Sequence, residues 1–186
     1  MIILGIVCSP RVKGNTEILI REVLESARQC GAEVRLISLS GKHISPCTHC
    51  EACYQTGVCS IDDDMSEIYH ELIAADGIVL GTPVYFWSIS AQAKLVIDRT
   101  YALRYPQQKL QSKIGGAVAV AGRRGQVEAL TQLNTFFLGQ KMLVVSLGVD
   151  GRGSKRGDIL HDTRAMEQAK LMGQRMVDVF RETTTP

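Results

Sequence analysis

The chain has 186 residues, 45% of them hydrophobic and 22% charged, with a formal net charge of +2. This size suits a single domain spanning 1–186, and the charge balance gives no reason to expect a nucleic-acid partner. The apolar start, Met1 to Val7, lacks a basic leader and a cleavage site, and no apolar run reaches the roughly 20 residues of a membrane span, so we expect a cytoplasmic protein with no membrane partner.

Short apolar segments alternate with longer amphipathic ones. The predicted strands are 2–7, 33–39, 77–81, 116–121 and 142–147, and the predicted helices are 16–29, 63–75, 88–103, 126–138 and 163–180. Near-continuous apolar strands separated by helices are typical of a parallel sheet covered on both faces. Right-handed crossovers then predict an α/β, doubly wound, five-stranded fold. The glycine-rich segment 148–157 is predicted to be a surface loop.

The loop after the first strand suits a phosphate group. It offers the hydroxyls of Ser9 and Thr16, the amide of Asn15 and the cation of Arg11, and Gly14 allows the backbone to bend closely. Donors at a helix N-terminus are what a phosphate monoester needs. A plain capped turn is the alternative, because Asn and Thr also cap helices.

Two further loops follow the third and fourth strands. The first contains Pro83 and Val84 followed by the aromatic run Tyr85, Phe86 and Trp87. Aromatic rings at a strand end suit a flat aromatic ligand, although each could instead pack in the core. The second loop is Gly122, Arg123, Arg124 and Gly125. Its glycines would let a ligand approach the backbone closely and its arginines provide positive charge, but it could also be a solvated turn.

Four of the six cysteines, Cys47, Cys50, Cys53 and Cys59, fall within thirteen positions of a segment, about 40–62, that is predicted to be irregular. In a chain expected to be cytoplasmic this favours metal binding or redox chemistry over disulfides. Thiolates at this spacing can converge on a [4Fe–4S] cluster. Zinc also accepts four thiolates, and a loop without metal is a third alternative.

The remaining cysteines and the acidic run have simpler interpretations. Cys8 and Cys30 are expected to be small, buried apolar residues. The run Asp62, Asp63 and Asp64 is expected to cap the following helix rather than to bind a metal.

Several motifs together resemble the NADPH-dependent FMN reductase-like flavoproteins. They are Ser-Pro-Arg-x-x-Gly-Asn-Thr at 9–16, Gly-Thr-Pro-Val-Tyr-Phe at 81–86, Lys94 with Asp98-Arg99, and Gly-Arg-Arg-Gly at 122–125. Within that group the cysteine segment, from Pro46 to Cys59 and on to Met65, resembles the iron–sulfur flavoproteins. The resemblance covers nearly the whole chain.

The resemblance implies a flavodoxin-like fold with strand order 2-1-3-4-5 and a cysteine-rich insertion. It implies that FMN places its phosphate on the 9–16 loop and its ring against 83–86 and 122–125, and that the four cysteines hold a [4Fe–4S] cluster. Electrons would pass between a ferredoxin-like donor or NAD(P)H and a small-molecule acceptor, in a homodimer or homotetramer. No catalytic acid–base pair is expected, since the chemistry belongs to the cofactors.

Two other functions remain open at the level of the sequence. A clusterless NAD(P)H-dependent FMN or quinone reductase would use the cysteine segment only as scaffold. A binding module without enzymatic turnover would use zinc and flavin for sensing or docking.

Overall fold

The computed structural model describes residues 1–184. Its strands are β1 (Ile2–Val7), β2 (Glu33–Ser38), β3 (Gly77–Pro83), β4 (Ile114–Ala121), β5 (Leu143–Val144) and β6 (Val149–Arg152). Its helices are α1 (Asn15–Gln29), α2 (Ala52–Thr56), α3 (Met65–Ala74), α4 (Ala91–Arg99), α5 (Gln126–Gly139) and α6 (Thr163–Thr184). Short 3-10 turns at Thr100–Leu103 and Asp158–His161 complete the regular structure.

All strand pairings in the sheet are parallel, and the order is β2-β1-β3-β4-β5. This confirms the predicted doubly wound, flavodoxin-like topology. The apolar strand sequences explain it, because both faces of the central strands are buried and only crossover helices can cover both. β1 and β3 are buried along nearly their whole length.

The fifth strand position differs from the prediction, because it is divided. β5 pairs with the start of β4 at Ile114 and Gly115, and β6 pairs with its end, from Val118 to Ala121. Between them the chain turns at Gly148, whose φ of +120° disfavours any other residue. A Cβ there would lie 2.8 Å from the carbonyl oxygen of Ala117. The predicted surface loop 148–157 therefore begins only after β6.

The core forms two layers, one on each face of the sheet. One layer packs α1 and α6 against the sheet, and the other packs α3, α4 and α5. Gly173 in α6 allows the two helices of the first layer to approach closely, since a Cβ there would lie 2.2 Å from the carbonyl oxygen of Val23. Among residues 1–184, no helix has the length and apolar character needed to cross a membrane.

The helices follow the predictions closely, with two local differences. The segment predicted as one helix, 88–103, becomes α4 followed by a 3-10 turn, and Ser90 caps α4 by accepting a hydrogen bond of 3.2 Å from the Ala93 N–H. The cysteine segment, predicted to be irregular, contains the five-residue helix α2. The loops after β1, β3, β4 and β6 all leave the carboxyl edge of the sheet, where ligands bind in this class of fold.

Candidate functional site

A polar cavity lies at the carboxyl ends of β1 and β4, beside the start of α1. It is lined by Ser9, Arg11, Gly14, Asn15 and Thr16 from the first loop, by Pro83, Val84 and Tyr85, and by Val120, Gly122, Gly153 and Ser154. All five polar-loop residues predicted from the sequence therefore surround one cavity. The first N–H groups of α1 have no intrahelical acceptor, so the helix N-terminus presents donors and positive partial charge here.

Asn15 has a structural task that the sequence did not indicate. Its side-chain Nδ2 donates to the carbonyl oxygen of Lys155 at 2.8 Å, and its Oδ1 accepts from the N–H of Gly157 at 2.8 Å. Arg11 adds a hydrogen bond of 3.1 Å from Nη1 to the carbonyl oxygen of Ser154. The loop 153–157 is thus fastened over the polar cavity by side chains of the first loop.

A second, more apolar cavity adjoins the first. It is lined by Val84, Tyr85, Phe86 and Trp87 together with Ala121, Gly122, Arg123 and Arg124. The two cavities share Val84, Tyr85 and Gly122, so they form one continuous trough with a polar end and an aromatic end. The predicted aromatic loop and the predicted glycine–arginine loop are therefore brought together.

The aromatic loop is a tight turn in an uncommon conformation. Tyr85 and Ser88 exchange two backbone hydrogen bonds of 3.1 and 3.0 Å, and the residues between them, Phe86 and Trp87, have φ of +49° and +61°. Bulky residues rarely adopt positive φ, and such strain concentrates at functional sites. Phe86 is 93% exposed, so the turn presents its ring to solvent.

Gly125 lies at the N-cap of α5, where its φ is +99°, rather than in the lining of the trough. A Cβ there would approach the Val84 Cγ1 to 2.8 Å and the Trp87 Cα to 2.9 Å. Its position lets the two loops approach each other closely, and its contact with a ligand stays a prediction.

The four clustered cysteines line a single separate cavity, together with Arg99 and Tyr101. All are free thiols, with Cys47 and Cys50 exposed and Cys53 and Cys59 half-buried. A hydrogen bond with Ser60 lowers the pKa of Cys50, whereas burial and the neighbouring thiols raise the pKa of Cys53. In residues 1–184 no three His, Cys, Asp or Glu side chains are placed to hold a single metal ion.

A buried ion pair supports the cysteine segment. The side chains of Arg99 and Asp63 are 0% and 3% exposed, and Arg99 Nη1 lies 2.6 Å from Asp63 Oδ2. Although burial opposes it, Arg99 and the N–H groups of Ser45 and Met65 hold the pKa of Asp63 below its usual range. Asp63 does accept from the Met65 N–H at 3.0 Å, as a helix cap would, but its main partner is Arg99.

The other members of the acidic run and the isolated cysteines take simpler positions. Asp64 is the N-cap residue of α3, yet its carboxylate accepts a hydrogen bond from the His43 N–H instead of capping the helix.

Cys8 is fully buried, as predicted, and burial raises the pKa of its thiol to about 12. Cys30 is only half-buried. Lys94 and Asp98 form an exposed pair on α4 at 2.6 Å.

Known proteins resemble this chain over most of its length. The family model described as NADPH-dependent FMN reductase matches residues 1–149. An iron–sulfur flavoprotein of Methanocaldococcus jannaschii is 40% identical over 190 residues, covering 97% of this chain and 98% of that protein. An iron–sulfur flavoprotein of Methanosarcina thermophila is 35% identical over 182 residues, covering 97% and 95%.

Solved structures agree on the fold. The NAD(P)H:quinone oxidoreductase of Methanothermobacter marburgensis superposes with a TM-score of 0.73 at 14% identity, covering 93% of this chain and 97% of that one. At that identity the likeness shows the fold alone. The family match and the full-length relatives show that the chain belongs to the NADPH-dependent FMN reductase family and, within it, to the iron–sulfur flavoproteins, so that it is a flavoprotein oxidoreductase.

Proposed function

We propose that the chain binds FMN in the trough and a [4Fe–4S] cluster in the cysteine cavity, and passes electrons between a reduced carrier and a small-molecule acceptor. The observation that carries this proposal is that Cys47, Cys50, Cys53 and Cys59 all line one cavity. The trough supports the binding of FMN, because its polar end suits the phosphate and its aromatic end suits the flavin ring.

The donors of the polar end fit a phosphate monoester. The hydroxyls of the buried Ser9 and Thr16, the exposed Arg11 and the N-terminus of α1 all border this end. A Cβ at Gly122 would lie 2.6 Å from Ser154 Oγ, so glycine keeps the 122–125 loop and the 153–157 loop close around the ligand. We assign the phosphate to this end.

The aromatic end fits the isoalloxazine ring. Val84 to Phe86 would contact the ring from one loop, with Pro83 beside them at the polar end, and Gly122, Arg123 and Arg124 would contact it from the other. Gly125 allows the two loops to approach each other. FMN, when bound, exchanges electrons singly or as a hydride pair. The chain's own share is to orient the ring and to offer backbone N–H groups and arginine charge to its reduced, anionic form.

The cysteine cavity fits a cluster better than it fits zinc. Three of the four thiols, those of Cys47, Cys50 and Cys53, fall within seven residues, whereas a four-cysteine zinc site usually draws its ligands from two separated pairs. A [4Fe–4S] cluster is held by four cysteine thiolates and exchanges one electron when bound.

Partners follow from the same surfaces. A one-electron donor of the ferredoxin type suits the cysteine cavity, and NAD(P)H is the alternative donor at the flavin. We further propose a homodimer or homotetramer, because Phe86 and Leu147 are 93% and 85% exposed, which is unfavourable for large apolar side chains in water. A reducing compartment such as the cytoplasm is proposed because all six thiols are free.

Iron, acid-labile sulfide and zinc per chain, measured on protein purified without oxygen, test the cluster. About four irons and four sulfides are expected. Cys53→Ser is expected to lose most of the iron, while the matched change Cys30→Ser, outside the cavity, keeps it. Stoichiometric zinc, or iron unaffected by Cys53→Ser, would contradict the assignment.

A clusterless NAD(P)H-dependent FMN or quinone reductase is the second candidate. It is favoured by the separation of the two sites, since the lining of the trough includes no residue of the cysteine segment. Stopped-flow mixing with NADPH or NADH distinguishes the two. Rapid bleaching of the flavin in iron-free protein supports the reductase, and a requirement for iron in flavin reduction removes it.

A further inference from the structure

Arg99 occupies an unusual position for a charged side chain. It is the largest fully buried side chain among residues 1–184, and it lines the cysteine cavity. Long charged side chains are almost never buried unless paired. The surroundings of its guanidinium group therefore indicate what the residue does.

Four of the five guanidinium N–H groups have acceptors in the protein. Nη1 donates to the carbonyl oxygen of Ser45 at 2.9 Å and to Asp63, and Nη2 donates to the carbonyl oxygen of Ile61 at 3.2 Å and to Asp63. Ser45 precedes Cys47 and Ile61 follows Cys59. Arg99 thus bonds residues on both sides of the four cysteines and holds the two ends of the cysteine segment close together.

The fifth N–H, on Nε, is buried and has no hydrogen-bond partner among residues 1–184. Leaving a buried charged donor without an acceptor costs free energy, so the unpaired Nε–H of Arg99 needs an explanation. Arg99 lies in the wall of the cavity that the four thiols share. Tyr69 also lies beside it, since its hydroxyl donates to the Arg99 carbonyl oxygen at 2.7 Å. Sulfur atoms held in that cavity would supply the acceptor.

We propose that Arg99 is a positioning residue whose Nε–H donates a hydrogen bond to a sulfur of the iron–sulfur group, while its other four N–H groups hold the ends of the cysteine segment. The inference rests on the proposed function, because it requires iron in the cavity. Hydrogen bonds to sulfur stabilise the more negative, reduced state, so Arg99 would raise the reduction potential of the group.

Isotope labelling tests this contact in the unchanged protein. Arg99 is the only arginine among the described residues that line the cavity. Protein grown with arginine carrying ¹⁵N at Nε, purified without oxygen and reduced, is expected to show a ¹⁵N hyperfine coupling to the paramagnetic centre. A centre without this coupling would overturn the proposal.

Arg99→Lys gives a second, independent readout. It keeps the charge but removes Nε–H and the bridge between the two carbonyls. Its midpoint potential is expected to fall by the equivalent of about tenfold in the reduction equilibrium, or about 59 mV for one electron. Arg164→Lys is the matched control, because Arg164 also bonds both oxygens of an aspartate and a backbone carbonyl, but in an exposed position. The control is expected to keep the wild-type potential.

The outcomes separate this proposal from the proposed function. Wild-type protein with iron, but with an unchanged potential in Arg99→Lys, overturns the role of Arg99 and leaves the cluster in place. Wild-type protein without iron overturns both. If Arg99→Lys fails to fold, the labelling experiment alone decides.

Discussion

The side-chain oxygen of Asn15 accepts a hydrogen bond of 2.8 Å from the backbone N–H of Gly157, a residue 142 positions further along the chain. Its amide nitrogen bonds Lys155 in the same loop. One residue at the start of α1 therefore holds the loop that closes the polar end of the trough. This contact couples the phosphate end of the trough to the segment after β6.

Asn15→Ala is expected to weaken FMN binding about tenfold. Losing these hydrogen bonds costs roughly 1–2 kcal/mol, and 1.4 kcal/mol corresponds to a factor of ten in affinity. Fluorescence titration of apoprotein with FMN measures the change. Asn134→Ala is the control, because Asn134 holds a different loop through the carbonyl oxygen of Leu147. Equal affinity in Asn15→Ala and wild type would contradict the role of the loop.

Replacing Phe86-Trp87 by Asn-Gly is expected to stabilise the fold while weakening flavin binding. Asn-Gly is the preferred sequence for a two-residue turn with positive φ at both positions, and each strained residue costs about 1–3 kcal/mol. Thermal unfolding and FMN titration measure the two effects. Val127→Asn, which removes another exposed apolar side chain from a helix, controls for surface hydrophobicity. A melting temperature at or below that of wild type would show that the turn is not strained.

Gly125→Ala is expected to destabilise the protein and to separate the aromatic loop from α5. The added Cβ would meet Val84 and Trp87 in a conformation that alanine disfavours, and the cost is about 1–3 kcal/mol. Chemical denaturation measures it. Gly139→Ala, at the end of α5 where a Cβ would meet nothing within 4 Å, is the control. Equal stability of both variants would rule out the close approach.

The ion pair of Asp63 and Arg99 predicts a specific sensitivity to acid. Because the folded-state pKa of Asp63 is lowered, the pair stabilises the protein above the usual aspartate pKa of about 3.9. That contribution is lost as the pH falls through the lowered value. Denaturant titrations from pH 7 down to pH 3 should show stability falling at the acid end.

Asp63→Asn is expected to cost about 3–5 kcal/mol at pH 7, since it leaves a buried cation uncompensated, and to remove this part of the acid dependence. Asp98→Asn is the control, because its partner Lys94 is exposed, and such pairs contribute about 1 kcal/mol or less. A similar loss in both variants would contradict the burial of the Asp63 pair.

The sequence predicted the elements whose character is local. β1 and α1 were predicted within a residue because a continuous apolar run and a helical repeat are complete signals in themselves. The divided fifth strand was not predicted, since Val149–Arg152 contains a glycine and only its pairing with β4 reveals it as a strand. Gly151 fits there because a Cβ would lie 2.6 Å from Ile159 and 2.8 Å from Leu19.

In the candidate site, too, the features that depend on contacts between distant segments were not predicted. The loops lie where the sequence predicted, because parallel strands must direct their following loops to one edge. The burial of Arg99 was not predicted, because its partner Asp63 lies 36 positions away in a run that resembles a helix cap. Contacts between distant segments carry no local sequence signal, which also explains why the task of Asn15 was missed.

The division of the fifth strand has a mechanical consequence for loading the cofactor. Loop 153–157 is joined to the sheet through the four residues of β6 and a bond of 3.0 Å from the Gly153 N–H to Ala121, in addition to the side-chain bonds of Asn15 and Arg11. We expect this short ladder to open more readily than the longer ladders of β1 and β3, which would loosen the polar end of the trough without unfolding the domain. In deuterated water the amides of β6 should therefore exchange well before those of β1 and β3, and FMN should slow that exchange.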